Sequence, residues 1–353
     1  MGRTQRRTGR RPGPGRRPDH HHGCRRHRRR GTNHPFPVGY RFVTRSQILQ
    51  ALIQELGALH GEPLSRHTFV QVGGPAEWFV VVRDRQALID AVRAARCSQA
   101  SLTMLGAGSN VLIRDGGIRG LVIKNETRSC LRVGDATIEV DSGSRFATLA
   151  RSTARAGLAG LEWAAGIPGA IGGGLPTNAG AYGSDLSDVL VSITAISPDG
   201  QVDVYPADEL GLTYRDSKLR SGELRGHIVT SLTLQLEPGD VYASLAEIDR
   251  VEALRKSNAP TGPSLGSTFK NPVGDPRTTG QLIEAAGLKS ARVGAAQVSD
   301  LHANYILNVD VRNARASDFL ALIRRVQDQV ADRFGIRLEP EIAVLGEEVG
   351  IDD

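Results

Sequence analysis

The sequence is poor in cysteine, in long apolar runs and in acidic residues near its start. Its 353 residues include three cysteines, Cys24, Cys97 and Cys130, and no two of them have Cys-x-x-Cys spacing. This scatter argues against a disulfide framework and against a zinc site, and it fits a reducing compartment. No run of about eighteen apolar residues occurs, so no membrane-spanning helix is expected. We therefore expect a cytoplasmic protein without a metal site or a membrane contact.

Acidic residues are almost absent from the first 45 residues, which contain 14 of the 44 lysines and arginines and a single acid, Asp19. The remaining residues hold 30 basic and 37 acidic side chains, so the net charge of +6 comes from this extension. A segment of Arg, His, Pro and Gly cannot build a core, so we predict that residues 1–45 are a disordered extension. The alternative is an arm that binds nucleic acid through phosphate charge, which predicts that its deletion abolishes function. We favour the first interpretation and expect no nucleic-acid partner.

Both common nucleotide-binding patterns are also missing, namely Gly-x-Gly-x-x-Gly at the start of a helix and Gly-x-x-x-x-Gly-Lys-[Ser/Thr]. A Rossmann domain and a P-loop are therefore disfavoured. A different glycine loop follows a buried strand predicted at 101–105. Its glycines permit close approach and its backbone N–H groups suit a pyrophosphate. The loop consists of Gly106, Ala107, Gly108, Ser109 and Asn110. A tight turn without a ligand is the alternative.

Glycine is concentrated in residues 158–183, where eight glycines alternate with small apolar residues. This density is too high for the interior of a helix or strand, and it indicates that another surface lies against the backbone. A flexible linker is the alternative. However, Leu161, Trp163, Ile167 and Ile171 are residue types that favour burial, whereas linkers are polar and rich in serine. We therefore predict that this glycine-rich stretch is packed and belongs to a ligand site.

Helix and strand patterns cover most of the remaining chain. Two strands joined by a Gly-Gly-Pro turn are predicted for 68–82, and a hairpin is predicted for 189–205. Asp84 and Ser317 each stand where they can cap the start of a helix. A final strand is predicted for residues 338–345. The residue pattern changes after Glu-Pro-Gly, which places a domain boundary near residue 238.

Seven short motifs follow one another along the chain. They are Gly-Ala-Gly-Ser-Asn (106–110), Gly-Ile-Pro-Gly (166–169), Asn-Ala-Gly-Ala-Tyr-Gly (178–183), Tyr-Arg-Asp-Ser (214–217), Gly-Ser-Thr-Phe-Lys-Asn-Pro (266–272), His-Ala-Asn (302–304) and Leu-Glu-Pro-Glu (338–341). Any one of them is weak alone. In this order and at these separations the sequence resembles the UDP-N-acetylenolpyruvoylglucosamine reductase family, and the resemblance covers nearly everything from 60 to 346.

The resemblance implies an α+β fold. An FAD-binding module of the vanillyl-alcohol-oxidase type, made of two subdomains, is expected over 46–237, and an α/β substrate-binding domain over 238–353. The connection before the helix near residue 245 is too short for a tyrosine-bearing loop, so the chain resembles the second branch of the family. FAD is the implied cofactor and NADPH the implied reductant. The implied reaction converts a small UDP-sugar enolpyruvyl ether, UDP-N-acetylglucosamine enolpyruvate, to the peptidoglycan precursor UDP-N-acetylmuramate, and a monomer is expected.

The resemblance also implies roles for individual residues. Ser267 donates a proton to carbon, while Arg215 and Glu341 lie at the substrate carboxylate. Lys270 is the neighbour expected to support Ser267. A glutamate helps at a carboxylate only when it is protonated or bridged by water, so Glu341 needs a raised pKa. The implied FAD-binding residues are Gly106, Ala107, Gly108, Ser109, Asn110, Gly166, Ile167, Gly169, Gly173, Asn178, Gly180 and Tyr182. The implied substrate-binding residues are Tyr214, Lys270, Asn271, Lys289 and His302.

Two positions depart from the family pattern. Gln71 stands where the family often has a basic residue before Gly-Gly, and Pro176 occurs where a run without proline is expected. The alternative function is another FAD-dependent oxidoreductase of the same fold, such as a carbohydrate or alcohol oxidase. Such an enzyme would share residues 68–236 and differ beyond them, and the implied C-terminal catalytic residues disfavour it.

Overall fold

The computed structural model describes residues 45–348, so nearly all of the predicted disordered extension lies outside the described residues, as do residues 349–353. The helices are α1 (Arg45–Glu55), α2 (Arg85–Cys97), α3 (Phe146–Arg155), α4 (Ile171–Gly174), α5 (Val241–Asn258), α6 (Thr279–Ala285) and α7 (Ala316–Phe334). The strands are β1 (Leu59–Pro63), β2 (Pro75–Val82), β3 (Leu102–Leu105), β4 (Val111–Ile113), β5 (Ile118–Asn125), β6 (Cys130–Arg132), β7 (Thr137–Asp141), β8 (Leu158–Ala159), β9 (Gly180–Ala181), β10 (Ser184–Asp185), β11 (Leu190–Ile196), β12 (Val202–Pro206), β13 (Ile228–Gln235), β14 (Glu237–Pro238), β15 (Ser264–Ser267), β16 (Arg292–Val293), β17 (Ala296–Val298), β18 (Tyr305–Asn308) and β19 (Ala343–Leu345). None of these helices is long and apolar enough to cross a membrane.

The first sheet has the strand order β1-β2-β5-β3. β2, β5 and β3 run parallel, and β1 pairs antiparallel with β2. α2 connects β2 to β3, and Asp84 caps it as predicted by accepting a hydrogen bond from the N–H of Ala87 at 2.9 Å. The apolar residues of α2 recur three or four positions apart and are buried against the sheet; they are Leu88, Ala91, Val92 and Ala95. This strand-helix-strand unit places the loop that follows β3 at the carboxyl edge of the sheet.

The second sheet has the order β12-β11-β13-β7-β6 and is antiparallel. β11 and β12 form the predicted hairpin. The glycine-rich stretch packs against the core of this sheet, where Leu161 and Ile171 are fully buried and Trp163 is nearly so. The packed interpretation of this stretch is therefore confirmed and the linker interpretation is wrong. Arg85 at the start of α2 connects the first two sheets, because its Nε donates to Asp141 on β7 at 2.6 Å.

The third sheet has the order β15-β18-β17-β16 and is also antiparallel. α6 and α7 cover it, and the core between them contains Phe269, Ile306 and Phe319. Only two residues separate β14 from α5, which is the short connection expected from the sequence. Ile248 and Val251 of α5 pack into the core of the second sheet. The domain boundary near 238 stays a prediction, and this packing favours a position for it after α5.

Two local predictions are wrong because the backbone adopts a different conformation from the one expected. Residues 68–72, predicted as a strand, form a loop in which the Thr68 hydroxyl donates to the carbonyl of Val72 at 2.9 Å. Gln71 in this loop has a left-handed backbone with φ of 55°, which a strand does not allow. The glycine-rich stretch contains one helical turn, α4, although glycine disfavours helix. Gly172 is needed there because a Cβ would lie 2.5 Å from the Cβ of Ser142.

In the C-terminal part of the chain, the cap of one helix and the length of one strand differ from the prediction. Ser317 does not cap α7; instead the N–H groups of Ala316 and Ser317 donate to the carboxylate of Asp115 at 2.7 and 3.0 Å. The strand predicted for 338–345 is reduced to β19. β19 pairs parallel with β4, so the end of the described chain lies directly beside the segment that follows the loop 106–110.

Candidate active site

Arg215 lies at the tip of a tight turn in which Thr213 and Asp216 pair with each other. Its backbone is left-handed, with φ of 56°. For a residue that carries a Cβ this conformation costs about 1–2 kcal/mol. Strain of this kind is concentrated at functional sites, where the surrounding structure enforces it. The turn therefore marks Arg215 as a residue whose side chain has a defined target.

The guanidinium of Arg215 is held between two segments of the chain. Its two terminal nitrogens donate to the carbonyl of Gly180 at 3.2 Å and to that of Asn178 at 3.5 Å. Its Nε lies 3.0 Å from Oε1 of Glu341. The Nε–H is buried and makes no hydrogen bond within the described chain, so charge and proximity hold the ion pair, without an aligned bond. The structure thus brings Arg215 and Glu341 together as an ion pair.

Glu341 is largely buried, with 14% of its side chain exposed. Burial raises its pKa above the ordinary value, and the charges of Arg215, Arg220 and Lys270 oppose this rise. This is the direction that a glutamate needs if it is to hold a proton. The backbone places Glu341 beside the end of β15, because its N–H donates to the carbonyl of Thr268 at 2.9 Å.

Replacing Glu341 by glutamine is expected to flatten the pH dependence of stability. A carboxyl whose pKa is higher in the folded chain stabilises the fold below its unfolded pKa, here 4.5, and loses this contribution as the pH rises through the folded pKa. The free energy of unfolding of the wild type, relative to Glu341→Gln, should therefore fall as the pH rises above 4.5. Urea unfolding of both proteins across that range measures this difference. Identical pH slopes would show that burial does not perturb Glu341.

Ser267 is the last residue of β15 and lies opposite Tyr305 on β18. Within the described residues its hydroxyl makes no hydrogen bond, so it is available to a ligand. Within the described residues Lys270 makes no hydrogen bond to it. Instead, the Lys270 Nζ lies 2.7 Å from Oε1 of Glu339, and its positive charge acts on Glu341. Lys270 therefore contributes to the electrostatics of the site, while the expected support of Ser267 by Lys270 is not seen.

Two of the expected substrate residues form a separate group. His302 is half-buried, and burial lowers its pKa, as does the nearby charge of Lys289. The His302 Nδ1 accepts a hydrogen bond from the N–H of Asn304 at 3.3 Å, which leaves the proton of the neutral ring on Nε2. Lys289 pairs with Glu284 at 2.7 Å. A neutral histidine donor beside a lysine suits an anionic or carbonyl oxygen.

Tyr214 and Asn271 are the remaining two expected substrate residues. Tyr214 is exposed, and the guanidinium carbon of Arg215 lies 5.4 Å from the centre of its ring. Asn271 directly follows Lys270, and its Oδ1 accepts a hydrogen bond from the N–H of Thr279 at 2.9 Å. The Asn271 side chain therefore has a structural partner as well as its expected role.

The loop 106–110 has the properties of an anion-binding backbone. Gly108 has φ of 68°, and a Cβ there would overlap the carbonyl oxygen of His67. Ser109 donates to the carbonyl of Pro168 at 3.1 Å, which ties the loop to the Gly-Ile-Pro-Gly motif. Within the described residues, no N–H of 106–110 donates to a backbone carbonyl outside the regular helices and strands. A short row of free N–H groups is what a pyrophosphate needs.

The same loop is bonded to the segment that carries Glu341. The Asn110 side-chain amide lies 3.4 Å from the Glu341 carbonyl oxygen. The N–H of Ala343 donates to the carbonyl of Asn110 at 3.0 Å. The expected cofactor loop and the pair of Arg215 and Glu341 are thus parts of one continuous arrangement, although the sequence separates Asn110 from Glu341 by 231 positions.

The glycines of the glycine-rich stretch differ in what they face. A Cβ on Gly173 would meet no atom within 4 Å. By contrast, the ring of Tyr182 covers Gly166, where a Cβ would lie 2.6 Å from its Cε2. Gly180 is packed against Asp185. Of these expected FAD-binding residues, Gly173 is open to a ligand, whereas Gly166 and Gly180 are required by packing within the protein.

The remaining expected FAD-binding residues of this stretch also make contacts within the protein. Ile167 is partly buried and packs against the core of the second sheet. Gly169 has φ of 128°, and a Cβ there would lie 2.9 Å from the Ser109 hydroxyl. The Asn178 Oδ1 accepts a hydrogen bond from the N–H of Ser187 at 3.1 Å, so the Asn178 amide fixes the loop whose carbonyl binds Arg215. Pro176 is accommodated in the first turn of a 3-10 helix, where its missing N–H is not needed.

Ser144 is a candidate cofactor residue that the sequence did not reveal. It is 6% exposed, and its hydroxyl has no hydrogen-bond partner within the described chain. Its carbonyl accepts the N–H of Ile171 at 2.8 Å, which places it beside α4. A buried hydroxyl without a partner is costly unless a ligand or water satisfies it. Together with the loop 106–110 and Gly173, Ser144 fits a flat, polar and anionic cofactor.

Gln71 faces a different region. It lines a cavity of about 710 Å³, whose walls also include Arg66, Asp115, Pro263 and Arg312. None of the three expected catalytic residues lines this cavity. The effect of Gln71 on flavin binding stays a prediction.

Comparisons with known proteins agree with this geometry. The family of FAD binding domains matches residues 76–204, and the C-terminal domain family of UDP-N-acetylenolpyruvoylglucosamine reductase matches residues 256–345. A reductase of that name from Gloeobacter violaceus is 44% identical over 289 residues, which are 81% of this chain and 95% of the relative. Another, from Rubrobacter xylanophilus, is 43% identical over 287 residues, with 81% and 94% covered.

A solved structure extends the similarity to the fold. The crystal structure of UDP-N-acetylenolpyruvylglucosamine reductase from Thermus caldophilus is 36% identical in sequence, with a TM-score of 0.68. The match covers 80% of this chain and 97% of that chain. These similarities confirm the predicted α+β fold with an FAD-binding module.

Proposed function

This chain belongs to the UDP-N-acetylenolpyruvoylglucosamine reductase family of FAD-dependent oxidoreductases, and from this membership we propose that it uses NADPH to reduce UDP-N-acetylglucosamine enolpyruvate to UDP-N-acetylmuramate. The observation that carries the proposal is the partly buried pair of Arg215 and Glu341, which adjoins Ser267 and the loop 106–110. A cytoplasmic location and a monomeric state, both expected from the sequence, belong to the same proposal.

The substrate is an enol ether conjugated to a carboxylate. Its reduction adds a hydride to the terminal carbon and a proton to the neighbouring carbon, so that the C=C bond is lost and two C–H bonds are formed. Bound FAD supplies hydride transfer chemistry, with NADPH as the source of the hydride. No side chain of the protein can donate hydride. The residues of the chain must therefore bind the substrate, stabilise charge and deliver the proton.

Arg215 and Glu341 are suited to stabilise the charge that develops. As hydride arrives, negative charge spreads into the substrate carboxylate. The guanidinium of Arg215 is a fixed cation, held by the carbonyls of Asn178 and Gly180 and by Glu341, and preorganised charge of this kind is a large term in catalysis. Burial raises the pKa of Glu341, which is the direction required if its carboxyl is to donate a second hydrogen bond to the substrate.

Ser267 is proposed to deliver the proton to the carbon next to the carboxylate. A hydroxyl is a weak acid, so the donor must be aimed at the carbon in the transition state. The Ser267 hydroxyl has no competing hydrogen bond within the described residues, and the backbone connects its strand end to Glu341. After donation, the Ser267 oxygen regains a proton from water.

The cofactor is proposed to lie along the loop 106–110 and α4. The free N–H groups of the loop would bind its pyrophosphate, and the open backbone at Gly173 and the hydroxyl of Ser144 would face the rest of it. Gly166, Ile167, Gly169, Asn178, Gly180 and Tyr182 would shape this surface.

Replacing Gly173 by alanine tests this position of the cofactor. The residue lies in α4 and its Cβ would meet no protein atom within 4 Å, so alanine should leave the apoprotein as stable as the wild type or slightly more so. If the flavin occupies the open space, the same methyl group should weaken FAD binding. The apoprotein melting temperature and an FAD titration measure the two effects. Unchanged FAD affinity would exclude contact at Gly173.

The proposed reaction can be followed by absorbance under anaerobic conditions. NADPH should bleach the flavin absorbance band at roughly 450 nm, and UDP-N-acetylglucosamine enolpyruvate should restore it. Bleaching that only oxygen reverses would favour the oxidase alternative. Absence of a flavin band that persists after reconstitution with FAD would contradict the cofactor assignment itself.

A further inference from the structure

Arg220 follows the turn that carries Arg215 and contacts the backbone of that turn. Its terminal nitrogen Nη1 donates to the carbonyl of Arg215 at 3.1 Å. This is the carbonyl of the residue whose left-handed φ of 56° directs the catalytic guanidinium. Arg220 is partly buried, and the bond to Arg215 is the one hydrogen bond of its side chain within the described residues. The guanidinium of Arg220 therefore binds the backbone of the turn.

Other hydrogen bonds fix the rest of the turn. The Ser221 hydroxyl donates to the Asp216 carboxylate at 2.8 Å, and the N–H of Ser217 donates to it at 2.9 Å. The Ser217 hydroxyl in turn donates to the carbonyl of Pro176 at 2.9 Å. These bonds anchor the residue after Arg215, and Arg220 anchors the carbonyl of Arg215 itself. Together they hold a strained backbone that would otherwise relax and redirect the side chain.

We propose that Arg220 is a positioning residue for the pair of Arg215 and Glu341. It holds the Arg215 carbonyl so that the guanidinium of Arg215 stays directed at Glu341, and its positive charge also acts on Glu341. As far as it concerns turnover, this inference rests on the proposed function. It assigns to Arg220 no contact with the substrate.

The charges around Glu341 give the proposal a second consequence. The cations acting on this carboxyl are Arg215, Arg220 and Lys270, and each opposes the rise in the Glu341 pKa that burial causes. Removing the charge of Arg220 should therefore raise the pKa of Glu341 further. A role in packing alone would not produce this effect.

The test compares Arg220→Met, which removes the donor and the charge, with Arg220→Lys, which keeps the charge. Arg225→Met is the matched control, because Arg225 is an exposed arginine nearby in the sequence. In the FAD-loaded enzyme, Arg220→Met should lower kcat by roughly 10²-fold, as expected for a misplaced catalytic group, with little change in KM. The pH profile of kcat should contain a limb that is lost in Glu341→Gln. In Arg220→Met this limb should move to higher pH. Arg220→Lys should recover the position of this limb and part of kcat.

Two kinetic results would overturn the proposal. An unchanged kcat and pH limb in Arg220→Met would remove the positioning role. A raised KM for the UDP-sugar with an unchanged kcat would make Arg220 a substrate ligand instead.

A titration that does not depend on turnover separates this inference from the proposed reaction. The Glu341 carboxyl can be followed by carbon-13 NMR in protein labelled at glutamate, with the signal assigned through its loss in Glu341→Gln. Its pKa should be higher in Arg220→Met than in the wild type and unchanged in Arg225→Met, whether or not the UDP-sugar is turned over. Equal values in Arg220→Met and the wild type would overturn the inference while leaving the proposed function in place. A wild type that shows no turnover would overturn the function alone.

Discussion

Ser267→Ala is expected to lower the rate of substrate reduction by about 10²–10⁴-fold, the usual contribution of a positioned proton donor. The rate at which NADPH reduces the flavin should not change, because that step needs no proton from Ser267. The small side chain and the absence of any hydrogen bond to its hydroxyl within the described residues mean that the fold should tolerate the change. Stopped-flow measurement of the two half-reactions distinguishes these effects.

The matched control for this experiment is Ser264→Ala, which removes a hydroxyl from the same strand. The Ser264 Oγ lies 3.5 Å from the N–H of Gly266 and is buried, so its loss should affect stability more than the chemical step. Full product formation by Ser267→Ala, with normal flavin reduction, would remove Ser267 from the mechanism. Equal losses in both half-reactions would point to a damaged cofactor site instead.

Arg215→Met is expected to lower kcat/KM for the UDP-sugar by about 10²–10³-fold, the range found when one stabilising donor is removed from a developing anion. The fold should survive, because Glu341 already has a raised pKa and can take up a proton once its cation is gone. Arg215→Gly gives a second version of the test. Glycine adopts φ of 56° without strain, so it keeps the turn and removes only the side chain.

If both variants lose activity to a similar extent, the guanidinium is required and the shape of the turn is not the cause. Arg225→Met, a substitution at an exposed arginine of the same region, should remain fully active. A loss of less than about tenfold in Arg215→Gly would show that other groups stabilise the carboxylate. Lys270, whose charge also acts on Glu341, would then be the next residue to replace.

The sequence predicts those parts of the fold that depend on local patterns. Asp84 caps α2 as expected because the cap and its N–H partner lie three positions apart. Ser317 has the same local signature, yet Asp115 caps α7 from 201 positions away. Thr68 and the apolar residues that follow it favour a strand, but a side-chain bond closes them into a loop. In both failures a tertiary or side-chain contact prevailed over local propensity.

The same distinction applies to the candidate site. The motifs identify Arg215, Ser267 and Glu341 only through the family resemblance, since each residue alone has an ordinary surface role. The structure adds that Arg215 and Glu341 lie 3.0 Å apart, which no local pattern encodes. Ser144 and Arg220 were missed because their roles depend on what surrounds them in space. An unpaired buried hydroxyl and a bond to one particular carbonyl leave no signature in the order of residues.

The pairing of β19 with β4 bears on how the protein is made. Among the described strands β4 pairs only with β19, in a two-stranded sheet, and Asn110, just before β4, is bonded to Glu341 across 231 positions. At a synthesis rate of 5–20 residues per second, the ribosome needs roughly 10–50 s to add these positions. During that interval β4 presents an open edge and the neighbouring loop lacks its final support. With FAD bound along this loop, as proposed, its capture should be a late event, and a stalled nascent chain that ends before β19 should not retain FAD.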